Sequence, residues 1–492
     1  MGRGRLFRAP LLAALIFLAG CTVGPDYQRP ESAMPEDWGE STGAGVMSSP
    51  QQIVQWWTLF QDKTLNSMIE QAVSSNKDLK IAGARIREAR AHLRMTGAEI
   101  FPWLETSGSY TRLRQSENAS ANGSETGANF PGDQNLFQIG FDAGWEIDIF
   151  GGVRRTVEAA EAEIDAAKEG RRDVLITLLA EVATNYMELR AGQRRIAISL
   201  ENIKLQKETL ELTRGRFEAG LAGSLEVAQA EALLKATESR LPAIENSVIR
   251  AIHRIGVLIG QQPDALSNEL LIEGPIPPVP PQVPIGLPSD LLRRRPDVRR
   301  AERLLAAQTA RIGVATADLF PKFSLTGIAG LKSLESSDLV SGDSRFYSIG
   351  PTVNWPVFEG GRIRANIEVQ DALGEQALLT YENAVLTSLE DVKNAIVAYS
   401  KEQTTCQSLG QAVEASRRAD EIARELYSKG LVDFLNVLLS QGALRQAEDQ
   451  YVRSEQRVST SLVALFKALG GGWESTTQGI DQREKESGDR KS

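Results

Sequence analysis

The sequence predicts an α+β membrane protein in which short two-sided strands are followed by very long helices. Three observations lead to this fold class. Apolar and polar residues alternate strictly over residues 137–149, a heptad pattern begins after Gly152, and both patterns recur further along the chain. A period of two indicates a strand, and a sustained 4-3 spacing indicates packed helices.

The strand signal is clearest over residues 137–149, where seven apolar side chains alternate with six small or polar residues. This length slightly exceeds the ~9–11 residues of a tilted membrane strand. A half-buried strand of a soluble sheet is the alternative. The three carboxylates on the polar face and the similar alternation over 346–358 favour the membrane.

Weaker alternation over residues 103–112 and 322–331 predicts a hairpin partner for each of these strands. The polar loops 113–136 and 332–345 suit the external side of a barrel. Four strands cannot close a barrel, because the smallest membrane barrels have eight. The barrel must therefore be shared between copies, and the residues alone allow a dimer with eight strands or a trimer with twelve.

Long helices are predicted after each strand pair. The first seam follows 4-3 spacing from Val153 to Leu178, and about 60 helical residues would span roughly 90 Å. We expect a turn near Gly192 and, from the internal repeat, a second turn within residues 401–409. A coiled-coil stalk without a lumen is the alternative.

The sequence contains an internal repeat: its two halves match each other with an offset near 210 residues, and a proline-rich segment joins them. So many prolines disfavour helix and central strand, so we expect an extended strap on the surface. The predicted organisation is a signal peptide (1–20), a lipidated N-terminal segment and equatorial strap (21–60), a first repeat (61–272), a proline-rich linker (273–290), a second repeat (291–470) and a polar tail (471–492).

The first 20 residues predict an export signal. Three arginines precede a short apolar run, and Leu18-Ala19-Gly20-Cys21 matches the lipobox of bacterial lipoproteins. We expect cleavage before Cys21, with diacylglycerol and an N-acyl chain attached to that cysteine. An ordinary signal peptide with a chance cysteine is the alternative. Thr22 in the next position fits export to the outer membrane.

Composition excludes several function classes. Removal of the signal takes away three arginines and lowers the formal net charge from −9 to −12, which argues against nucleic acid binding. Cys406 would then be the only remaining cysteine, and we interpret it as a packing residue. His92 and His253 lack metal-ligand spacing, and no nucleophile and base are paired. We therefore predict no enzyme, no metal and no cofactor besides the lipid.

Short motifs run in order through residues 21–473. The most specific one is Leu-Pro-Ser-Asp-Leu-Leu-Arg-Arg-Arg-Pro-Asp-Val at 287–298. The others are Cys21 to Pro30, Trp56-Trp57 with Phe60 and Leu65, Asn76 to Leu79, Phe101-Pro102, Phe150-Gly151-Gly152 and Leu469 to Trp473. In these motifs the chain resembles the outer-membrane factors of tripartite efflux pumps, in the lipoprotein branch typified by nodulation protein T.

The resemblance implies a homotrimer with a twelve-stranded β-barrel, four strands per chain, in the outer membrane lipid. A long α-helical coiled-coil barrel would continue it into the periplasm, with a small mixed equatorial domain around it. The implied function is passive conduction of drugs or other small toxic solutes. The implied partners are a periplasmic membrane-fusion adaptor and an inner-membrane efflux pump of the resistance-nodulation-division type.

Two sets of site residues are predicted. The resemblance places a gate at the periplasmic end, where helix pairs turn, and we assign it to Leu389, Glu390, Asp391 and Asn394. Three copies of such acidic residues would form a ring that binds cations. The second set consists of carboxylates that would line the barrel lumen: Asp142, Glu146 and Asp148. Some of these could instead pair with Arg154 or Arg155.

Other functions remain open at this point. A copper or silver outlet and a type I secretion outlet belong to the same class, but only six methionines occur and they do not cluster. A structural envelope lipoprotein belongs to another class, and the strand alternation argues against it.

Overall fold

The computed structural model describes residues 22–31, 34–39, 46–47, 54–114, 133–280 and 282–474. The predicted signal peptide, Cys21, most of the loop 113–136 and the tail beyond residue 474 lie outside the described residues. The chain divides into two compact units. The first combines residues 1–30, 86–166 and 302–380, and the second combines residues 31–85, 167–301 and 381–492.

The helices and strands repeat the same order in the two halves of the chain. They are β1 (Val46–Met47), α1 (Lys63–Ser75), α2 (Lys77–Gly97), β2 (Trp103–Leu113), β3 (Gln134–Ile147), α3 (Gly152–Glu218), α4 (Ser224–Glu238), α5 (Leu241–Leu258), α6 (Ser267–Leu270), β4 (Val283–Pro284), α7 (Leu291–Arg294), α8 (Pro296–Ala317), β5 (Lys322–Ser333), β6 (Arg345–Asn354), α9 (Arg362–Ser428) and α10 (Phe434–Ala468).

The first unit contains an antiparallel sheet in the order β2-β3-β5-β6. The four strands lie where alternation predicted them, but their ends differ. β3 begins at Gln134 and ends at Ile147, and β6 ends at Asn354 rather than at residue 358. Pro351 lies within β6, which is possible because β6 is an edge strand and a missing backbone N–H can face away from the sheet.

Two glycines let β3 and β5 approach closely at their centre. Gly140 and Gly330 stand opposite each other in the register. A Cβ on Gly330 would lie 2.3 Å from the carbonyl oxygen of Ile139, and one on Gly140 would lie 2.9 Å from that of Ala329. No larger residue fits here without moving the backbone, so these glycines set the local path of the sheet.

The second unit has an apolar core that gathers distant parts of the chain. Trp56 stacks on Phe466 near the end of α10, with 5.4 Å between the ring centroids. Trp38 donates its indole N–H to the carbonyl oxygen of Gly286 over 2.9 Å. The proline-rich linker was expected on the surface, and that expectation is wrong for its centre: Val283 and Ile285 are buried, and β4 pairs in parallel with β1.

The helices α3 and α9 each contain 67 residues. Both predicted turns are wrong, because α3 continues through Gly192 and α9 continues through residues 401–409. The chain turns at Gly220 and Gly430, which both have φ of 72°, a conformation that glycine adopts without strain. Gly192 serves packing instead, since a Cβ there would lie 2.6 Å from a methyl group of Val248.

The helices after these turns differ between the two halves. In the second half α10 is continuous, whereas the first half is broken at Ser239 and Arg240 into α4 and α5. Pro242 stands in the first turn of α5, where a missing backbone N–H costs nothing. Within the described ranges, none of the helices combines the length and apolar composition that a bilayer-spanning helix requires.

Candidate functional site

The sheet of the first unit has one apolar face. Its strand register places the apolar residues of all four strands in common rows, because residues directly opposite each other share a face. One such row joins Ala143, Gly327 and Ile349. The larger apolar side chains on this face are Leu104, Tyr110, Phe137, Ile139, Phe141, Trp145, Ile147, Phe323, Leu325, Leu331, Tyr347, Ile349 and Val353. Many of them are exposed, and Tyr347 is 84% exposed.

The opposite face is mainly polar. Its polar residues are Glu105, Ser107, Ser109, Thr111, Gln134, Gln138, Asp142, Glu146, Lys322, Ser324, Thr326, Lys332, Ser348, Thr352 and Asn354. The large apolar exceptions on this face include Trp103, Ile328 and Phe346. A four-stranded sheet with one apolar face, one polar face and two unpaired edge strands cannot satisfy its own backbone in a bilayer as a single copy.

The three predicted lumen carboxylates have different surroundings. Asp142 accepts a hydrogen bond from the Ser107 hydroxyl over 3.1 Å on the polar face. Glu146 lies on the same face, opposite Ser324. Asp148 lies beyond the end of β3 and pairs with Arg154, whose Nε is 3.2 Å from Oδ2. Asp148 is therefore paired with Arg154, which was the alternative to a role in lining the barrel lumen.

Sequence reasoning missed Glu105, which stands directly opposite Asp142 in the β2–β3 register. The hairpin partner of 137–149 was expected near 103–112, so the residue was within the predicted strand. The sequence did not show on which face of the sheet Glu105 lies, because this depends on the register between β2 and β3. The polar face therefore carries a pair of facing carboxylates.

The four predicted gate residues lie far along the chain from either turn. Leu389 packs against the apolar core of the second unit, and Glu390 is exposed. Asp391 pairs with Arg295, with Nη2 and Oδ2 3.0 Å apart. Asn394 lines a cavity of about 480 Å³ together with Asp391 and Asp173. Their role as a gate remains a prediction, but its premise of nearby helix turns is wrong.

The same cavity contains a carboxyl group with a perturbed acidity. Burial and the nearby Asp297 raise the pKa of Asp173, against the opposing charges of Lys467, Arg300 and Arg295. Removal from water disfavours the charged form of a carboxyl group, and a second negative charge adds to this effect. Arg295 therefore holds together a region of the second unit that is rich in acidic groups.

Three side chains connect the helix turns at Gly220 and Gly430. The Tyr427 hydroxyl, at the end of α9, donates to Glu226 Oε2 over 2.9 Å in α4. Arg216, at the end of α3, donates to the carbonyl oxygen of Tyr427 over 3.0 Å. Its guanidinium also lies 4.6 Å from the centre of the Tyr427 ring. We call Arg216, Glu226 and Tyr427 the turn latch.

Leucines project from both turns in the same pattern. Leu221 follows Gly220 and Leu431 follows Gly430, and each is 68% exposed. One turn of helix later, Leu225 and Leu435 are 68% and 53% exposed. Exposed apolar patches mark contact surfaces, and the exposed leucines make both turns candidates for such a surface.

The segment that follows Cys21 is fixed at the end of β3. The Val23 N–H donates to the carbonyl oxygen of Phe150 over 3.1 Å, and Arg155 pairs with Asp26 over 2.6 Å. A Cβ on Gly151 would lie 2.7 Å from a methyl group of Thr22. Thr22 is therefore packed against the Phe150-Gly151-Gly152 motif, next to the predicted lipidation site.

Comparison with known proteins identifies the class. The sequence pattern of the outer membrane efflux protein family matches residues 68–261 and 287–471. The chain is 32% identical over 458 residues to nodulation protein T of Rhizobium leguminosarum bv. trifolii, covering 93% of this chain and 96% of the relative. It is 31% identical over 481 residues to the toluene efflux pump outer membrane protein TtgC of Pseudomonas putida, covering 96% and 97%.

The fold agrees with this match. A solved structure of the outer-membrane channel OprN superposes with a TM-score of 0.85 at 37% identity, covering 92% of this chain and 100% of that one. The chain belongs to the outer membrane efflux protein family. It is an outer-membrane efflux component, and the proteins that it resembles are channels rather than enzymes.

Proposed function

We propose that three copies of this chain form a passive outer-membrane channel through which drugs or other small toxic solutes leave the cell. The two-faced sheet is the observation that carries this proposal. Its apolar face suits lipid, its polar face suits water, and its edge strands β2 and β6 can pair with neighbouring copies. Ring closure by three copies would give twelve strands and leave no open edge.

The lipid anchor fits the same arrangement. The diacylglycerol and N-acyl chains would be attached at Cys21, one residue before Thr22. Because Thr22 packs against Gly151 just beyond the end of β3, the acyl chains would start beside one end of the sheet. This placement supports an anchor in the membrane leaflet that is nearest to this end of the sheet.

The helix turns would form the periplasmic end and its gate. The turn latch connects the hairpin of α3 and α4 to the hairpin of α9 and α10, and such a connection favours one arrangement of the four helices. A periplasmic membrane-fusion adaptor would bind the exposed leucines beside it, and an inner-membrane pump of the resistance-nodulation-division type would supply the solute. The position of the turns in both repeats supports this assignment over the segment 389–394.

A matched pair of substitutions on β6 tests the barrel. Ile349 lies on the apolar face and the adjacent Ser348 on the polar face. Ile349→Lys should strongly reduce membrane insertion, because lysine at mid-bilayer costs about 2–4 kcal/mol. Ser348→Lys should insert normally and still conduct ions in planar bilayers. The readouts are the yield of detergent-extracted trimer and the single-channel current.

The opposite results would contradict the proposal. The proposed channel would be refuted if the wild-type protein were monomeric and soluble without detergent, or if it carried no current. Equal insertion of the two lysine variants would show that the apolar face does not contact lipid.

Asp420 near the second turn should make the stability of the helix hairpin depend on pH. Its side chain is 1% exposed, lies 2.8 Å from Nε of Arg424, and accepts a hydrogen bond from Ser440. Burial raises the pKa of Asp420, aided by Glu421 and opposed by Arg424 and Ser440. The folded protein therefore binds this proton more tightly than the unfolded chain does.

This raised pKa fixes the sign of the effect. Asp420 favours the folded state at acidic pH, and this contribution is lost as the pH rises through the raised pKa. We expect Asp420→Asn to remove that loss, so that the difference in unfolding temperature between variant and wild type becomes more positive with rising pH. Glu414→Gln changes an exposed carboxyl on the same helix and is the control. A pH-independent difference for Asp420→Asn would refute the assignment.

A further inference from the structure

A tryptophan lies on the polar face of the sheet, directly beside the facing carboxylates. Trp103 stands opposite Gly144, and its side chain is 54% exposed. A Cβ on Gly144 would lie 2.7 Å from the Trp103 ring, so the indole occupies the space that a side chain at position 144 would need. The absence of a side chain at Gly144 therefore leaves room for an exposed aromatic ring on a mainly polar face of the sheet.

The two carboxylates next to this ring lack basic neighbours on their own face. Glu105 and Asp142 are directly opposite, and like charges in that position destabilise a strand pair. Lys332 pairs with Gln138, four residues away from Asp142 along β3. Lys322 lies six residues away in the other direction and is paired with Asp318 over 3.1 Å. The sheet therefore bears a like-charge pair that its own lysines do not neutralise.

A neighbouring copy would not neutralise the pair either. In the proposed ring, β2 of one copy would lie beside β6 of the next. The residues that β6 presents on the polar face are Phe346, Ser348, Gly350, Thr352 and Asn354, none of them charged. Glu105, on the edge strand β2, would therefore gain no basic partner from β6 of the next copy in the closed ring.

We propose that Trp103, Glu105 and Asp142 form a subsite for organic cations that carry an apolar body. The carboxylates alone would attract any cation, and the aromatic ring adds a preference for weakly hydrated ones. Ammonium groups bind over the face of an indole within about 6 Å of its centre. The inference rests on the proposed channel, and it names the class of solute that the polar face would retain during passage.

Block of the ion current by benzyltrimethylammonium in planar bilayers tests the subsite with the full mature protein. We expect Trp103→Leu to raise the half-blocking concentration about threefold or more, and Glu105→Gln with Asp142→Asn to raise it further. Trp103→Phe keeps an aromatic face and should give an intermediate value. Benzyl alcohol, which has the ring but no charge, should not block wild type at the same concentrations.

Trp355→Leu is the matched control. Trp355 lies just beyond β6, and its indole N–H donates to the carbonyl oxygen of Leu319 over 3.1 Å. Its removal should leave the half-blocking concentration unchanged. If the wild type conducts and the cation blocks it, but Trp103→Leu and Glu105→Gln do not weaken the block, the subsite is refuted. The proposed channel would be unaffected by that result. Absence of any wild-type current would contradict the channel itself.

Discussion

Removal of the turn latch is expected to raise the open probability of the channel about tenfold or more. Arg216→Ala removes the donor that satisfies carbonyl oxygens at the end of α9, together with the cation–π contact to Tyr427. Tyr427→Phe keeps the ring and removes the hydroxyl that donates to Glu226 and also hydrogen-bonds with Thr213. A hydrogen bond to a charged group contributes about 1.5–3 kcal/mol, and a loss of ~1.4 kcal/mol shifts a two-state equilibrium tenfold.

The chain offers a close control for this experiment. Arg214 lies two residues before Arg216 and pairs with Glu211 on its own helix over 3.2 Å and with Glu231 of the same hairpin, in α4, over 3.9 Å. Its replacement by alanine should leave the open probability unchanged, because no bond between the two helix turns is lost. Burial raises the pKa of Tyr427, so the hydroxyl remains a donor throughout the neutral range and the result should not depend on pH there.

The same single-channel recordings compare the two gate assignments. Glu390→Ala with Asp391→Ala should increase the current if the segment 389–394 forms the gate. If the turn latch forms it, that double variant should leave the open probability unchanged. If the double variant increases the current and neither Arg216→Ala nor Tyr427→Phe changes the open probability, the gate lies in the segment 389–394 and not at the turn latch.

The strands could be predicted from sequence because their signal is local. Alternation over 137–149 directly reports which residues share a face, and the structure places the apolar residues from Phe137 to Ile147 in rows with β5 and β6. Which residues of β2 join each face depends on the register between strands. The sequence alone therefore could not show that Glu105 lies opposite Asp142.

The helix turns were misplaced because glycine has two different uses in this chain. Gly192 lies in a heptad region and allows close approach of Val248, whereas Gly220 adopts a positive φ at a turn. Sequence shows the same residue in both places. The error at Gly192 then passed to residues 401–409 through the repeat, although the repeat itself also relates Gly220 to Gly430.

The partner of Asp391 could not be predicted, because Arg295 lies 96 residues away in the chain. The motif that contains Arg295 was recognised as specific, but its spacing does not show what its arginines bind. Three consecutive arginines occur there, at 293–295. The structure distinguishes them by burial, since the side chain of Arg293 is 72% exposed and that of Arg295 is 10% exposed.

This difference predicts the largest loss of stability among the substitutions considered. Arg295 binds Asp297 through two hydrogen bonds of 3.0 and 2.6 Å. It also contacts Asp391 and donates to the carbonyl oxygen of Ala468 over 3.1 Å. Removal of one partner from a fully buried ion pair costs about 3–5 kcal/mol, and the exposure of Asp297 (38%) and Asp391 (46%) places this pair at the lower end, because solvent screens their charges. We therefore expect Arg295→Ala to destabilise the second unit by about 3 kcal/mol.

Arg293→Ala is the control and should change the free energy of unfolding by less than about 0.5 kcal/mol, since exposed pairs contribute little. Arg295→Lys should be intermediate, because lysine keeps the charge but cannot bind Asp297 with a planar fork. Acid should partly rescue Arg295→Ala, because protonation of Asp173, whose pKa burial and Asp297 already raise, relieves its repulsion with Asp297. Loss of packing alone would not depend on pH. Denaturant unfolding followed by circular dichroism at neutral and acidic pH separates these cases. Equal midpoints for Arg295→Ala and Arg293→Ala would show that the buried guanidinium does not hold α8, α9 and α10 together.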